Sequence, residues 1–159
     1  MKTLFSSPFI ELDLELPSVF RQFAETENYP ELDKVYRESL KPEGFLWNFL
    51  KEHCVFEHLE GIIALRSAPT DEEGIWHDDG SRIMGFSLSL NLEPHLIEGG
   101  DLLIRPRFQF KDHEDTGAFR FTARPFGRII LFKTGREHFE HRVTMVKKGK
   151  RLVLAGWCS

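Results

Sequence analysis

Apolar and acidic residues alternate from 8 to 16, with Phe9, Ile10, Leu12, Leu14 and Leu16 set against Glu11, Asp13 and Glu15. A period of two predicts a strand that enters the fold. Pro17 suits the first position of a helix, with Val19, Phe20 and Phe23 on one side. Pro30 opens a second helical piece to about Leu40. Pro42 precedes a third over residues 44–53, where Phe45, Leu46, Phe49 and Leu50 recur at helical spacing. Residues 1–60 therefore read as a helical support.

From Gly61 the period changes to short β-type runs between turn residues. Residues 61–67 form one run. The clearest covers 82–92, where Met84, Phe86, Leu88, Leu90 and Leu92 alternate with Gly85, Ser87, Ser89 and Asn91. Gly99-Gly100 precedes a run over 101–105. Phe108 and Phe110, a turn over 113–117, then Phe119 and Phe121 read as a hairpin. Pro125-Phe126-Gly127 turns the chain into 128–133, and the last two runs, 140–146 and 150–157, meet at 147–149. About eight short strands predict a mainly β (α+β) single domain. Residues 61–158 form a jelly-roll, cupin-like barrel or sandwich, and 1–60 provide its supporting helices.

Composition narrows the class. The 159 residues are 41% hydrophobic and 13% aromatic, with 15 Phe against 2 Tyr, enough apolar volume for one core. A net charge of -4 disfavours a nucleic-acid partner, which asks for a basic surplus. The two cysteines, Cys54 and Cys158, are expected to be buried free thiols, which points to a reducing, cytoplasmic setting. Ser6, Ser7 and Pro8 interrupt any leader-like apolar stretch, and no run approaches the ~18 apolar residues of a membrane span.

The chemistry concentrates at Trp76-His77-Asp78-Asp79. On an extended strand His77 and Asp79 leave one face, and Asp78 the other, solvated one. An imidazole and a carboxylate converging on one point make two-thirds of a facial triad for non-haem iron. His141 is the candidate third ligand, with His138 as competitor; taken alone, the acidic surroundings (Asp71, Glu72, Glu73) also fit a solvated loop. His141 and Val143 share a face of their strand, as do Arg151, Val153, Ala155 and Trp157 on the next. Folded over the sheet, these make one cavity with a metal at one end and the Arg151 guanidinium deeper, which suits a small dicarboxylate. Ser87, Ser89 and Asn91 face inward as small hydrogen-bonding groups. The segment 105–124 mixes Arg105, Arg107, Lys111, Arg120 and Arg124 with phenylalanines, which reads as a half-buried hairpin with a solvated basic face or, alternatively, as a basic aromatic lip for an acidic or extended substrate.

Taken in order, these residues resemble a known series. His77-Asp78-Asp79, Ser89-Leu90-Asn91, Gly99-Gly100-Asp101-Leu102, Gly127 through Leu131-Phe132, His141-Arg142-Val143, Gly149-Lys150-Arg151 and Trp157 look like the double-stranded β-helix of the Fe(II)/2-oxoglutarate-dependent oxygenases, in particular the prolyl-hydroxylase-like group. The resemblance covers residues 61–158 and leaves the N-terminal third unmatched. It implies Fe(II) held by His77, Asp79 and His141, and 2-oxoglutarate as co-substrate on Arg151 with Ser89, Asn91 and Val143 around it. Ascorbate is an optional addition.

The implied reaction hydroxylates a C–H bond with O2 and releases succinate and CO2; the retained Asp79 carboxylate favours hydroxylation over halogenation. The substrate is a peptide or protein side chain, prolyl among the options, or a small molecule, with Trp157, Arg105 and Arg120 as candidate contacts. Nucleic-acid demethylation is disfavoured, because Trp157 stands where that branch has a second Arg. Two departures are Ser67 and Ser89, near places where the group often has Tyr. The readings from other classes are a cupin-like barrel that binds a metal or ligand without oxygenase activity, and a zinc hydrolase.

Overall fold

A five-stranded antiparallel sheet separates a layer of helices from a smaller three-stranded sheet in the computed structural model, which describes residues 1–107 and 115–159. In chain order the elements are β1 (Lys2–Thr3), β2 (Phe9–Asp13), α1 (Ser18–Glu25), α2 (Tyr29–Leu40), α3 (Phe45–Lys51), β3 (Cys54–Val55), β4 (Leu59–Ser67) and β5 (Met84–Ser89). There follow β6 (Glu98–Gly99), β7 (Leu102–Pro106), β8 (Phe119–Phe121), β9 (Arg128–Lys133), β10 (Phe139–Val143), β11 (Val146–Lys148) and β12 (Lys150–Cys158). The large sheet runs β2-β9-β5-β12-β4 and the small one β10-β7-β8; β1-β3 and β11-β6 are short pairs.

The alternation anticipated for the strands decides what each face meets. One face of the large sheet presents Met84, Phe86, Leu88, Ile129, Leu131, Leu152, Leu154 and Cys158 to Phe20, Leu32, Tyr36, Leu46 and Leu50 of the helices. The other face presents Ile130 and Phe132 to Leu102, Ile104 and Phe121 of the small sheet. Helices and sheet thus share one buried cluster, and a second cluster fills the space between the sheets. A tie from Tyr36 on α2, whose hydroxyl donates to the carbonyl of Ala155 at 2.7 Å, fixes the helix layer to β12.

Proline and capping signals locate the helices well. Pro17 precedes α1, and the Asn28 side chain accepts from the Glu31 N–H at 3.4 Å to cap α2. The run predicted over 140–146 splits into β10 and β11 around Thr144, whose N–H turns to the carbonyl of Asp101. Phe108, Phe110, Lys111 and His113 of the expected hairpin lie outside the described residues, whereas β7 and β8 do pair antiparallel, Leu103 opposite Arg120. Among the described residues no helix is long and apolar enough to cross a membrane.

Candidate metal centre

His141 leaves the inner face of β10, because its cross-strand partner is the inward Ile104. His77 joins the free edge of the same strand through two reciprocal main-chain hydrogen bonds, His77 N–H to His141 C=O at 3.0 Å and His141 N–H to His77 C=O at 2.9 Å. The two rings consequently stand with centroids 4.3 Å apart. Asp79 corrects the expectation of an extended strand: its φ is +58°, the left-handed region that Asp tolerates better than most residues. The strand stops at the bridge and a turn carries the carboxylate back. Asp78, expected to be a merely solvated residue, builds that turn, its Oδ1 accepting from the Gly80 N–H at 3.0 Å while Arg107 pairs with Oδ2. It is convergence by turn, not by alternation, that brings His77 and Asp79 together.

His77 Nε2 lies 3.4 Å from Asp79 Oδ1, and His141 Nε2 lies 3.3 Å from Oδ2. All three donor atoms fall within 4.8 Å of one another. Two donors each ~2.1 Å from one ion and at right angles stand ~3.0 Å apart, so a modest contraction completes a facial set. The protonation pattern agrees. Nδ1 of His77 faces the carbonyl of Ile75 at 2.9 Å, so it carries the proton and leaves Nε2 bare. Oδ2 of Asp79 is buried and has no hydrogen-bond partner among the described residues, an orphan that a cation would satisfy.

Burial raises the Asp79 carboxyl above its ordinary pKa, opposed by His77 and by the Trp157 indole. Burial, and then the neighbouring His77, push His141 down to about 3, which keeps its imidazole neutral, the form a metal ion needs. His138 sits in a left-handed turn beside Arg107, outside this group.

The co-substrate candidates line a hollow between the sheets. Arg151 is 5% exposed, and among the described residues no hydrogen bond or ion pair reaches its guanidinium. Burial and the nearby Arg66 lower its pKa to about 10. Gly100, at φ +69°, packs on the arginine's stem; a Cβ there would lie 2.8 Å from its Cδ. Ser87, Ser89, Asn91 and Val153 share this hollow, whose volume is only about 10 Å³ beneath Thr122–Arg124.

Ser89 and Asn91 are already saturated. The Ser89 hydroxyl donates to the carbonyl of Arg124 at 2.5 Å and accepts from Asn91, whose Oδ1 takes the Leu152 N–H at 2.8 Å. They clamp β5 to β12 and to the segment above them. Val143 is half-buried on the inner cluster.

Several expectations shift. Arg105 is 1% exposed on the outer face of the small sheet, paired with Glu140 at 2.6 Å and covered by the Trp76 ring at 3.8 Å. Its cross-strand partner Glu140 and the indole above explain why a charged residue is interior. Arg120 lies on that same outer face and pairs with Asp101. Ser67 stands opposite Lys150, so its side chain leaves the face away from Arg151; Arg66, opposite Arg151, is the one on the site's side. Arg66 holds Asp71 at 2.9 Å and the Val143 carbonyl at 3.2 Å, anchoring the segment that delivers His77.

Trp157 stands between Asp79 and a groove of about 930 Å³. Pro42, Trp47, Glu60, Ile62 and Arg82 form other parts of its lining. Arg82 spans the wall, binding Glu60 at 2.8 Å and reaching the Asp79 carbonyl at 3.4 Å. Strand β4, beside the groove, has no strand on its outer edge among the described residues, and Ile62 there is 50% exposed.

No protein-family model matches the chain. No curated protein matches it either. Solved structures do. A Pseudomonas putida prolyl-4-hydroxylase is 19% identical over 95% of this chain and 87% of its own, with a TM-score of 0.60. A Trichoplax adhaerens prolyl hydroxylase, solved with a hypoxia inducible factor oxygen degradation domain peptide fragment, is 13% identical over 95% and 83%, with a TM-score of 0.57. A viral collagen prolyl hydroxylase from Paramecium Bursaria Chlorella virus-1, in a 2OG complex, is 14% identical over 95% and 94%, also at 0.57. The chain has the fold of these prolyl hydroxylases.

Proposed function

We propose that the protein is an Fe(II)- and 2-oxoglutarate-dependent dioxygenase that hydroxylates a side chain of an extended peptide or protein, on a double-stranded β-helix formed by the two facing sheets. One observation carries the reading: three lone-pair donors from His77, Asp79 and His141 face one another around a carboxylate oxygen that, like the buried Arg151 guanidinium between the same two sheets, has no hydrogen-bond partner among the described residues. A buried cation with carboxylates only at a distance, here Asp101 and Asp71, is costly unless an anion pairs with it directly.

His77, Asp79 and His141 hold the metal, and Arg151 binds the far carboxylate of 2-oxoglutarate through charge-assisted hydrogen bonds. Bound Fe(II), with 2-oxoglutarate and O2, supplies the oxidising chemistry that yields succinate, CO2 and a hydroxylated product. Arg124, Ser89 and Asn91 close the hollow and keep water from it; a five-carbon diacid enters by displacing the side chains around about 10 Å³ of space. The groove of about 930 Å³, ending at Trp157 beside Asp79, has room for several residues of substrate. The open edge of β4 suits an extended peptide, which such an edge takes up as an added strand. The same fold in an enzyme solved with a peptide fragment supports that choice. Buried free Cys54 and Cys158 fit a reducing, cytoplasmic setting.

The small hollow favours a second reading, a metal-binding barrel without oxygenase activity. Succinate formation from 2-oxoglutarate with Fe(II) and O2 separates the two, measured on the wild type and on His77→Ala beside binding of Mn(II) and N-oxalylglycine. The dioxygenase reading expects succinate from the wild type and none from His77→Ala. Mn(II) uptake without N-oxalylglycine binding or succinate would establish the simple metal-binding barrel.

A further inference from the structure

We infer that Thr134 is a positioning residue for the metal centre, joining its two distant ligand segments through one hydroxyl. The inference rests on reading His77, Asp79 and His141 as metal ligands. Thr134 follows β9 directly and is fully buried. Its hydroxyl donates to the carbonyl of Asp78 at 2.8 Å, and its oxygen lies 3.4 Å from Nδ1 of His141. A hydroxyl owns one proton. With that proton committed to Asp78, the oxygen offers His141 only lone pairs, so Nδ1 of His141 carries the hydrogen. Nε2 is then bare, and it is the atom that faces Asp79 Oδ2 at 3.3 Å.

The same bond acts on the second ligand. The Asp78 carbonyl belongs to the peptide unit that leads into Asp79, where the backbone enters its left-handed turn at φ +58°. Holding that carbonyl holds the direction from which the Asp79 carboxylate starts. Gly135 provides the seat. A Cβ at Gly135 would lie 2.3 Å from the Arg82 carbonyl, 2.4 Å from that of Gly80 and 3.0 Å from that of Asp78. Only the absence of a side chain lets the turn settle on this segment, where Arg107 adds a strut between the Asp78 carboxylate and the Gly135 carbonyl.

His77 needs no comparable help, because its Nδ1 finds the carbonyl of Ile75 two residues away. Among the described residues, the polar partner facing Nδ1 of His141 is Thr134, seven positions back along the chain. Groups that orient metal ligands in this way typically change metal affinity by ~10–100-fold when removed.

The test uses Co(II) as the probe, titrated by its visible d–d bands into the metal-free full chain, for the wild type, Thr134→Val and Thr134→Ser. Valine keeps the shape and removes the hydroxyl; serine keeps the hydroxyl. Thr134→Val is expected to bind Co(II) ~10–100-fold more weakly, and Thr134→Ser to retain wild-type affinity. In parallel, ring 15N shifts of His141 in the metal-free protein read its tautomer. The wild type and Thr134→Ser are expected as the Nδ1–H form, and Thr134→Val as a mixture.

Wild-type affinity and an unchanged tautomer in Thr134→Val overturn the inference. So does an Nε2–H ring in the metal-free wild type, a measurement that stands even if the valine variant fails to fold. A wild type that takes up no Co(II) instead overturns the metal-centre reading, while the ring measurement still judges Thr134.

Discussion

Arg151→Met is predicted to leave the metal-free protein more stable, not less. The guanidinium is 5% exposed and makes no hydrogen bond or ion pair among the described residues, so only the more distant carboxylates of Asp101 and Asp71 offset part of its desolvation. Burial, followed by repulsion from Arg66, lowers its pKa to about 10. That displacement corresponds to about 3 kcal/mol against the charged form. Methionine follows the same stem under Gly100 and carries no charge. The substitution should therefore raise stability by about 1–3 kcal/mol, allowing for a small packing defect. In a chain of this size that is a rise in Tm of roughly 2–10 °C.

Co-substrate binding should move the other way. Losing a buried charge-assisted contact to a carboxylate costs about 2–5 kcal/mol, a drop in affinity of roughly 30-fold or more. Thermal unfolding with and without N-oxalylglycine, in the presence of Mn(II), reads both effects at once. The wild type gains stability with the ligand, and Arg151→Met starts higher and gains little. A variant that melts clearly below the wild type would refute the reasoning, because Arg151 would then be a structural contact and not a waiting anion site.

Three further outcomes are expected of the same fold. Gly100→Ala, with its Cβ 2.8 Å from the Arg151 Cδ and a φ of +69°, should weaken N-oxalylglycine binding while leaving Mn(II) uptake intact; calorimetry of the two ligands separates the effects. Tyr36→Phe removes the hydroxyl tie from α2 to the Ala155 carbonyl and should cost about 0.5–1.5 kcal/mol, read as a lower urea midpoint.

Acid should release the segment that carries His77. Burial works against it, but the Val146 N–H and Arg66 hold Asp71 below its ordinary pKa, and the Met145 N–H and Arg142 do the same for Glu73. Because the folded values are depressed, this support is complete above the unfolded carboxylate range of about 3.9–4.3 and fades as pH falls through the folded values. Mn(II)-free unfolding followed from about pH 5 down to 2 should show the loss, and Asp71→Asn should flatten it; equal slopes would refute the assignment.

Local signals in the sequence were strongest where one residue decides one turn. Pro17, Pro30 and Pro42 placed three helices, and alternation on β5 and β12 placed the inner faces, with Arg151 and Trp157 on the same one. His141 was legible for the same reason, since Val143 shares its face. Asp79 was legible as a partner of His77 but for the wrong cause: the turn depends on the Asp78 side chain and a left-handed backbone, which a spacing of two does not reveal. Arg105 reads as a surface cation until Trp76, from a distant segment, covers it. Ser89 and Asn91 look free in the sequence because the groups that occupy them, the Arg124 carbonyl and the Leu152 N–H, come from far along the chain. Thr134 carries no local mark at all.

The paired main chains of His77 and His141 have one last consequence. Both candidate nitrogen donors are fastened to the scaffold by main-chain bonds that need no ion, so on the proposed function the metal-free protein should persist as a template. A chelator should strip it without unfolding it, and fresh metal should reload it without a folding step. The amide protons of these two histidines, slow to exchange in either state, would then report that the template is intact while the ring signals report whether it is filled.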